Sequence, residues 1–206
     1  MNSMYYEFKE LLFSPRAFFS KKTGPAFDLL IPTLIVLTGG VFGHITPYVI
    51  SYFSHEGLAP VNAILPVFAV PLYILGPFVA WFLFTGILYG ICKLFFSGTG
   101  TFILTLQNTG YAVLPFTIIS LVPLIQALFF SKIGEIPGTY DVLILFGFNI
   151  LSLLFIIWTG YLWAAAMEKT HAITRGRSLV AASITVLIYL AYHLVVLFAM
   201  ASRLLS

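Results

Sequence analysis

The stretch whose residues could do chemistry lies between two apolar segments and reads "SGTGTFILTLQNTGYAVLP", from Ser97 to Pro115. A glycine-rich turn that opens a helix can cradle phosphate, because the first N–H groups of a helix are free. The Gly-Lys-[Ser/Thr] of a nucleotide-binding loop is missing, and no strand precedes the turn. Two uses remain, reversal of the chain and binding of a lipid phosphate. The predicted phosphate ligands are Lys93, Gly98, Thr99, Gly100 and Thr101.

Few residues elsewhere in the chain could bind a metal ion or act as a nucleophile. Glu168-x-x-His171 is half of a carboxylate-bridged di-metal motif, and no second Glu-x-x-His exists. We therefore interpret it as a helix end followed by a solvated basic loop. The single cysteine, Cys92, excludes a disulfide framework, and no hydrolase or zinc-protease motif occurs. No catalytic residue, metal or cofactor is predicted.

Four of the polar residues inside the apolar segments are further candidates for chemistry, because burial of a polar group there is costly. They are His44, Gln126, Asn149 and His193. The two histidines would share a depth if their helices touched, but without a carboxylate they make a poor set of metal ligands. Hydrogen bonding between helices is the predicted role of all four.

The amino-acid composition indicates whether these residues lie in a soluble protein or in a membrane protein. The chain has 206 residues, of which 60% are hydrophobic and only 8% are charged. A soluble domain carries about 25% charged residues. Too few charges are present to cover a water-exposed surface, so the sequence predicts an integral membrane protein.

Long windows without charge predict an all-α, polytopic bundle of five transmembrane helices over residues 25–206. Each window exceeds the roughly 20 apolar residues that a spanning helix needs. The predicted spans are 27–50, 63–92, 103–130, 141–168 and 178–202. Division of 94–131 into two spans is the less favoured alternative. Gly39-x-x-x-Gly43 and Gly86-x-x-x-Gly90 are interpreted as helix contact faces.

The distribution of Lys and Arg predicts the orientation in the membrane. Eight of these residues fall on one side of the predicted spans, and only Lys132 and Arg203 fall on the other. The bias places the N-terminus in the cytoplasm and the C-terminus outside. In a prokaryote the membrane would be the plasma membrane. No cleavable signal peptide is expected, because no small-residue cleavage site follows the first span.

Residues 1–24 mix aromatic and basic side chains and predict a short helix at the cytoplasmic membrane interface. Ser14-Pro15 is a favourable helix start, with serine as the cap and proline at the first helical position. Phe18 and Phe19 are expected to dip into the interface. The bases that would face anionic headgroups are Arg16, Lys21 and Lys22.

The segment "GTGTFILTLQNTGYAVLPFTI" resembles the signature of the Yip family, the Ypt/Rab-interacting protein domain. The matching residues are Gly98, Gly100, Thr101, Phe102, Gly110, Tyr111, Ala112 and Pro115. "FSPRAFF" is similar to the lead-in of many members, and "WAAAMEKTHAITRGRSLVAA" is similar to the loop between the fourth and fifth spans.

The resemblance implies a non-enzymatic protein of membrane organisation or vesicle trafficking, or a partner-binding scaffold. Family members bind prenylated Rab-type GTPases and one another. The partners expected for this chain are membrane lipids, other membrane proteins, small GTPases and a second copy of the chain, and nucleic acid is not expected. Only about two dozen residues precede the first predicted span, which fits a prokaryotic-type member. The alternative function is a small transporter or channel with a polar path past Asn149 and Gln126 between proline-kinked spans.

Overall fold

The structure is a computed structural model that describes residues 2–22, 28–53, 65–130 and 138–204. Every regular element in these ranges is an α-helix, as the sequence predicts. The helices are α1 Asn2–Phe13, α2 Pro15–Lys21, α3 Leu30–Phe53, α4 Leu65–Phe96, α5 Phe102–Ala112, α6 Leu114–Phe130, α7 Gly138–His171 and α8 Arg175–Leu204.

Three helical segments in the described ranges are long and apolar enough to cross a membrane. They are Leu75–Phe96, Phe102–Val122 and Ile150–His171. The first predicted span contributes a shorter apolar helix, Leu30–Phe42, over its described side chains. The fifth predicted span, 178–202, lies in α8, which is not among the three. A multi-pass membrane protein is therefore supported, while the count of five spans stays a prediction.

Helix α5 occupies the centre of one end of the bundle. It packs against α4 on one side, α7 on another and α3 on a third, while α3 also packs along α6 and α7 along α8. Every residue from Thr105 to Ala112 is buried, including the polar ones. From Thr105 onward α5 has no exposed side, so its polar side chains there must find partners inside the protein.

The break between α5 and α6 lies where the sequence places a helix breaker. The ring of Pro115 has no N–H and cannot bond to the carbonyl group four residues earlier. Helix α5 ends at Ala112, Val113 forms its C-cap, and α6 begins at Leu114. The predicted third span therefore consists of two helices, and the first of them carries the polar side chains.

The N-terminal segment forms two short helices that fold back onto the bundle through α7. Ser14 precedes Pro15 at the start of α2 as predicted, although the Ser14 side chain makes no capping hydrogen bond. The prediction that Phe18 and Phe19 insert into the membrane interface is wrong. They are only 2% and 0% exposed and belong to the protein core. An aromatic ring gains as much from protein contacts as from lipid, so the FSPRAFF pattern alone cannot tell the two apart.

The two small-residue motifs behave differently. A Cβ atom at Gly39 would lie 2.8 Å from Oγ1 of Thr117, so Gly39 is a contact between α3 and α6 as predicted. Gly43 lies outside the described side chains. A Cβ atom at Gly86 or Gly90 would meet nothing within 4 Å among the described residues. Within the described residues the prediction that the Gly86-x-x-x-Gly90 face of α4 is a helix contact is therefore not confirmed.

Candidate site at the turn between α4 and α5

The glycine-rich turn packs tightly on the end of α7. Ser97 adopts a left-handed conformation with φ of 54° and ends α4. The N–H of Gly98 then donates to the carbonyl oxygen of Cys92 at 2.9 Å, and the N–H of Thr99 donates to that of His171 at 3.0 Å. Two of the N–H groups that a phosphate would need are therefore already used.

Glycine is required in this turn because the chain approaches α7 closely. A Cβ atom at Gly98 would lie 2.8 Å from both Cβ and Nδ1 of His171. At Gly100 it would lie 2.6 Å from the backbone oxygen of Thr170 and 3.0 Å from Nδ1 of His171. Contacts under 3 Å with backbone atoms cannot be relieved by rotation of a side chain. The two glycines thus allow the turn to pack against the last residues of α7.

His171 is buried beneath this turn, with 1% of its surface exposed. The Thr105 hydroxyl donates to the Thr101 carbonyl oxygen at 2.8 Å and lies 3.0 Å from Nε2 of His171. Because the hydroxyl proton is already used, Nε2 is the donor in the second bond. The predicted helix end at Glu168-x-x-His171 is confirmed, because α7 ends at His171. The His171 ring itself is not solvated, since it lies buried under Gly98 and Gly100.

Other polar side chains of α5 connect three further elements. The Asn108 amide donates to Oγ1 of Thr170 on α7 at 2.8 Å, and Oε1 of Gln107 accepts the N–H of Asp28 before α3 at 3.0 Å. The hydroxyls of Thr109 and Thr85, on α4, are 2.7 Å apart. Oδ1 of Asn108 and Nδ1 of His171 have no hydrogen-bond partner within the described part of the chain.

The indole of Trp81 and the helix cap Thr101 make further contacts with α5. Nε1 of Trp81 donates to the Leu106 carbonyl oxygen and to Oγ1 of Thr109, both at 3.1 Å. Oγ1 of Thr101 accepts the N–H of Leu104 at 3.3 Å, so Thr101 is the N-cap of α5. We call these contacts between the turn, α3, α4, α5 and α7 the polar lock.

The residues that carry the family resemblance lie inside this assembly. Gly110 faces Trp81 and Pro32, where a Cβ atom would lie 2.6 and 2.7 Å from side-chain carbons. Tyr111 is 2% exposed and meets the ring of Phe18 edge-on with centroids 5.2 Å apart, and Ala112 is fully buried. Phe102 is half-buried, and its ring meets that of Tyr89 edge-on with centroids 5.6 Å apart. These positions hold helices together.

Charged residues surround the lock at its outer edge. Arg16 on α2 binds the carboxylate of Glu168 through two nitrogens, with Nε to Oε2 at 3.0 Å. The hydrogen bond and the charge of Glu168 raise the pKa of Arg16 above its ordinary value. Lys169 lies 3.3 Å from the same carboxylate. The pairing of Glu168 with Arg16 fixes α2 to the last turns of α7.

A second basic residue of the N-terminal segment covers the aromatic pair. Nζ of Lys22 lies 5.4 Å from the ring centroid of Tyr111 and 5.5 Å from that of Phe18. Partial burial lowers the pKa of Lys22, but the hydrogen bond to Glu7 and the nearby Tyr111 outweigh it and raise the pKa overall. Lys21 pairs with Glu10. The bases predicted to face headgroups therefore each have an internal partner.

The remaining predicted positions are Lys93 and the four intramembrane polar residues. Lys93 ends α4 with Nζ 6.0 Å from the ring centroid of Tyr89, and its role with lipid phosphate stays a prediction. The side chains of the four intramembrane polar residues, His44, Gln126, Asn149 and His193, lie outside the described part. Over the described residues, no group of three His, Cys, Asp or Glu side chains could hold a metal ion.

The lock also includes Thr85, Thr105 and Thr170, which are not among the residues predicted from the sequence. A signal was present, because four uncharged polar residues occur within 105–109 in a chain that is otherwise strongly apolar. Such a group on a membrane helix needs hydrogen-bond partners on neighbouring helices. Which helices supply them depends on the packing, which the spacing alone does not give.

Comparison with known proteins identifies the family of the chain. A family model described as the Yip1 domain matches residues 9–198. A curated relative, an uncharacterized protein of Methanocaldococcus jannaschii, is 28% identical over 130 residues, which cover 61% of this chain and 92% of the relative. No solved structure matches. The model match extends from helix α1 to helix α8, and the chain belongs to the Yip1 domain family.

Proposed function

We propose that this protein is a five-span, non-enzymatic membrane protein that acts as a partner-binding scaffold in membrane organisation or trafficking. The observation that carries the proposal is the polar lock. Thr105, Gln107, Asn108 and Thr109 all bond to neighbouring groups of the same chain. Polar groups committed in this way fix the relative positions of helices, as a scaffold requires.

The family residues support the same function. Gly110, Tyr111 and Ala112 are buried and contact other helices, so the motif serves the architecture rather than presenting a reactive group. In the proposed orientation the lock lies at the cytoplasmic end, next to the bases Arg175 and Arg177. A rigid cytoplasmic end would present its outer surface to a partner in a constant geometry.

The surface next to the lock offers an apolar contact. Leu94 and Phe95 at the end of α4 are 81% and 75% exposed, and Ile103 at the start of α5 is 49% exposed. Exposed apolar groups beside a rigid element suit a protein partner in the membrane or the bilayer surface. We expect a second protein to contact this patch of Leu94, Phe95 and Ile103.

The test is site-specific photo-crosslinking in native membranes. A photoreactive amino acid replaces Phe95, and the matched control replaces Phe198 on α8, which is 78% exposed. A discrete protein adduct from position 95, absent from position 198, supports the scaffold. Lipid adducts alone at both positions, together with solute flux in proteoliposomes, would favour the alternative function of a small transporter or channel.

The predicted headgroup site is also part of the proposal. Because the N–H groups of Gly98 and Thr99 already donate to carbonyl oxygens, a phosphate would bond to the free N–H groups of the first turn of α5. Lys93 would add a positive charge. Lys93→Ala should then reduce co-purified anionic lipid while the fold is kept. Equal retention of anionic lipid by both proteins would leave the turn as a packing element only.

A further inference from the structure

A cavity of about 450 Å³ lies among helices α3 to α8, next to the lock. Aromatic rings form much of its wall, including Trp81, Phe84, Phe116 and Trp163. None of its described lining residues is charged. The volume falls within the roughly 300–1,000 Å³ of pockets that hold small molecules. An apolar cavity of this size among membrane helices suits a molecule that arrives from the bilayer.

The cavity reaches the outer surface of α4. Gly76 lines it and is itself exposed, and a Cβ atom at Gly76 would meet no described residue within 4 Å. The flanking residues Leu75 and Val79 are 57% and 56% exposed. This face belongs to the candidate span Leu75–Phe96, so hydrocarbon surrounds it when the helix crosses the membrane. A lipid chain could enter sideways past Gly76.

Two polar atoms on the wall suggest what kind of chain fits. Oγ1 of Thr159 and Nε1 of Trp163 are buried and have no hydrogen-bond partner in the part of the chain that the structure describes. Both residues line the cavity. An indole N–H can only donate, and a hydroxyl can donate as well. The wall therefore suits an apolar chain that carries a carbonyl acceptor.

We propose that this cavity binds the acyl chain of a membrane lipid, with its carbonyl oxygen accepting from Trp163 or Thr159. The chain would come from a phospholipid or from a free fatty acid, which share this chemistry. Bound lipid would fill the space among the helices beside the lock. The site is separate from the α4–α5 turn, so it does not depend on the scaffold proposal.

Photolabelling with two probes tests the proposal and separates the two sources. The protein is reconstituted into vesicles that contain either a phosphatidylcholine or a fatty acid with a diazirine on its acyl chain. Adducts on Trp81 or Trp163 are expected, because these side chains are only 6% and 7% exposed to the outside. Labelling by one probe alone identifies the source. Adducts confined to outward-facing residues such as Leu75, with either probe, would overturn the proposal.

Variants that fill the cavity supply the matched comparison. Gly76→Leu and Ala80→Leu add carbon atoms at the cavity wall, whereas Gly86→Leu makes the same change on the same helix away from the cavity. Cavity adducts should fall severalfold in either filled variant and stay at the wild-type level in Gly86→Leu. Unchanged cavity labelling in both filled variants would refute the site.

Tryptophan fluorescence gives a second readout that needs no adduct. The chain has three tryptophans, and Trp158→Phe leaves only the two that line the cavity. Brominated acyl chains should quench the emission of Trp81 and Trp163, and Gly76→Leu should reduce the quenching. If brominated lipid does not quench this emission, the proposal is overturned. This test remains decisive even if a filled variant fails to fold.

Discussion

Substitution of Gly100 by alanine tests whether the turn is held by close packing on α7. The new Cβ atom would lie 2.6 Å from the carbonyl oxygen of Thr170 and 3.0 Å from Nδ1 of His171. Overpacking of this kind costs about 1–3 kcal/mol. The backbone angle at Gly100 is not in the left-handed region, so the cost comes from crowding alone. For a domain of about 200 residues, each kcal/mol shifts the melting temperature by about 2–4 °C.

The assay is the loss of the monodisperse peak on heating in detergent, and Gly86→Ala is the matched control. A Cβ atom at Gly86 meets no described residue within 4 Å, and alanine in a helix is favoured over glycine by about 0.5–1 kcal/mol. Gly86→Ala should therefore unfold at the wild-type temperature or slightly above it, and Gly100→Ala several degrees below. Equal melting temperatures for the two variants would refute the close approach of turn and helix.

Three further substitutions examine the lock with the same assay. Arg16→Ala should lower stability more than Lys21→Ala, because Glu168 is only 12% exposed and would lose both hydrogen bonds from Arg16. Equal effects of the two substitutions would mean that Arg16 does not hold α2 against α7. His171→Ala should cost about 1–3 kcal/mol by removal of a buried hydrogen-bonded ring, and wild-type stability would contradict its burial. Trp81→Phe should cost about 1 kcal/mol, through the lost indole hydrogen bonds.

The positions of the helices were predictable because charge and hydropathy determine them. The predicted span 141–168 lies within α7, and the predicted span 63–92 coincides with α4 from Leu65 onward. The break between α5 and α6 falls next to Pro115, a residue type that interrupts helical hydrogen bonding. The capping role of Thr101 also follows from local chemistry, since a threonine before an apolar run bonds to a free N–H. These features depend on neighbours in the sequence.

The contacts at the site were not predictable, because they join residues far apart in the chain. His171 lies 66 positions from Thr105, and Arg16 lies 152 positions from Glu168. A helix end with a histidine looks the same in sequence whether it is solvated or buried under a turn. Phe18 likewise has the same hydrophobicity whether it faces lipid or Tyr111. Tertiary packing decides both cases.

Paired cysteine labelling tests whether the protein has five spans and whether the lock faces the cytoplasm. One variant carries Thr99→Cys in the exposed part of the turn, and the other carries a cysteine added after Ser206. Native Cys92 is fully buried and should not label. In intact cells, a membrane-impermeant maleimide should label the C-terminal cysteine but reach Thr99→Cys only after permeabilisation. Labelling of both cysteines on the same side of the membrane would contradict the five-span topology.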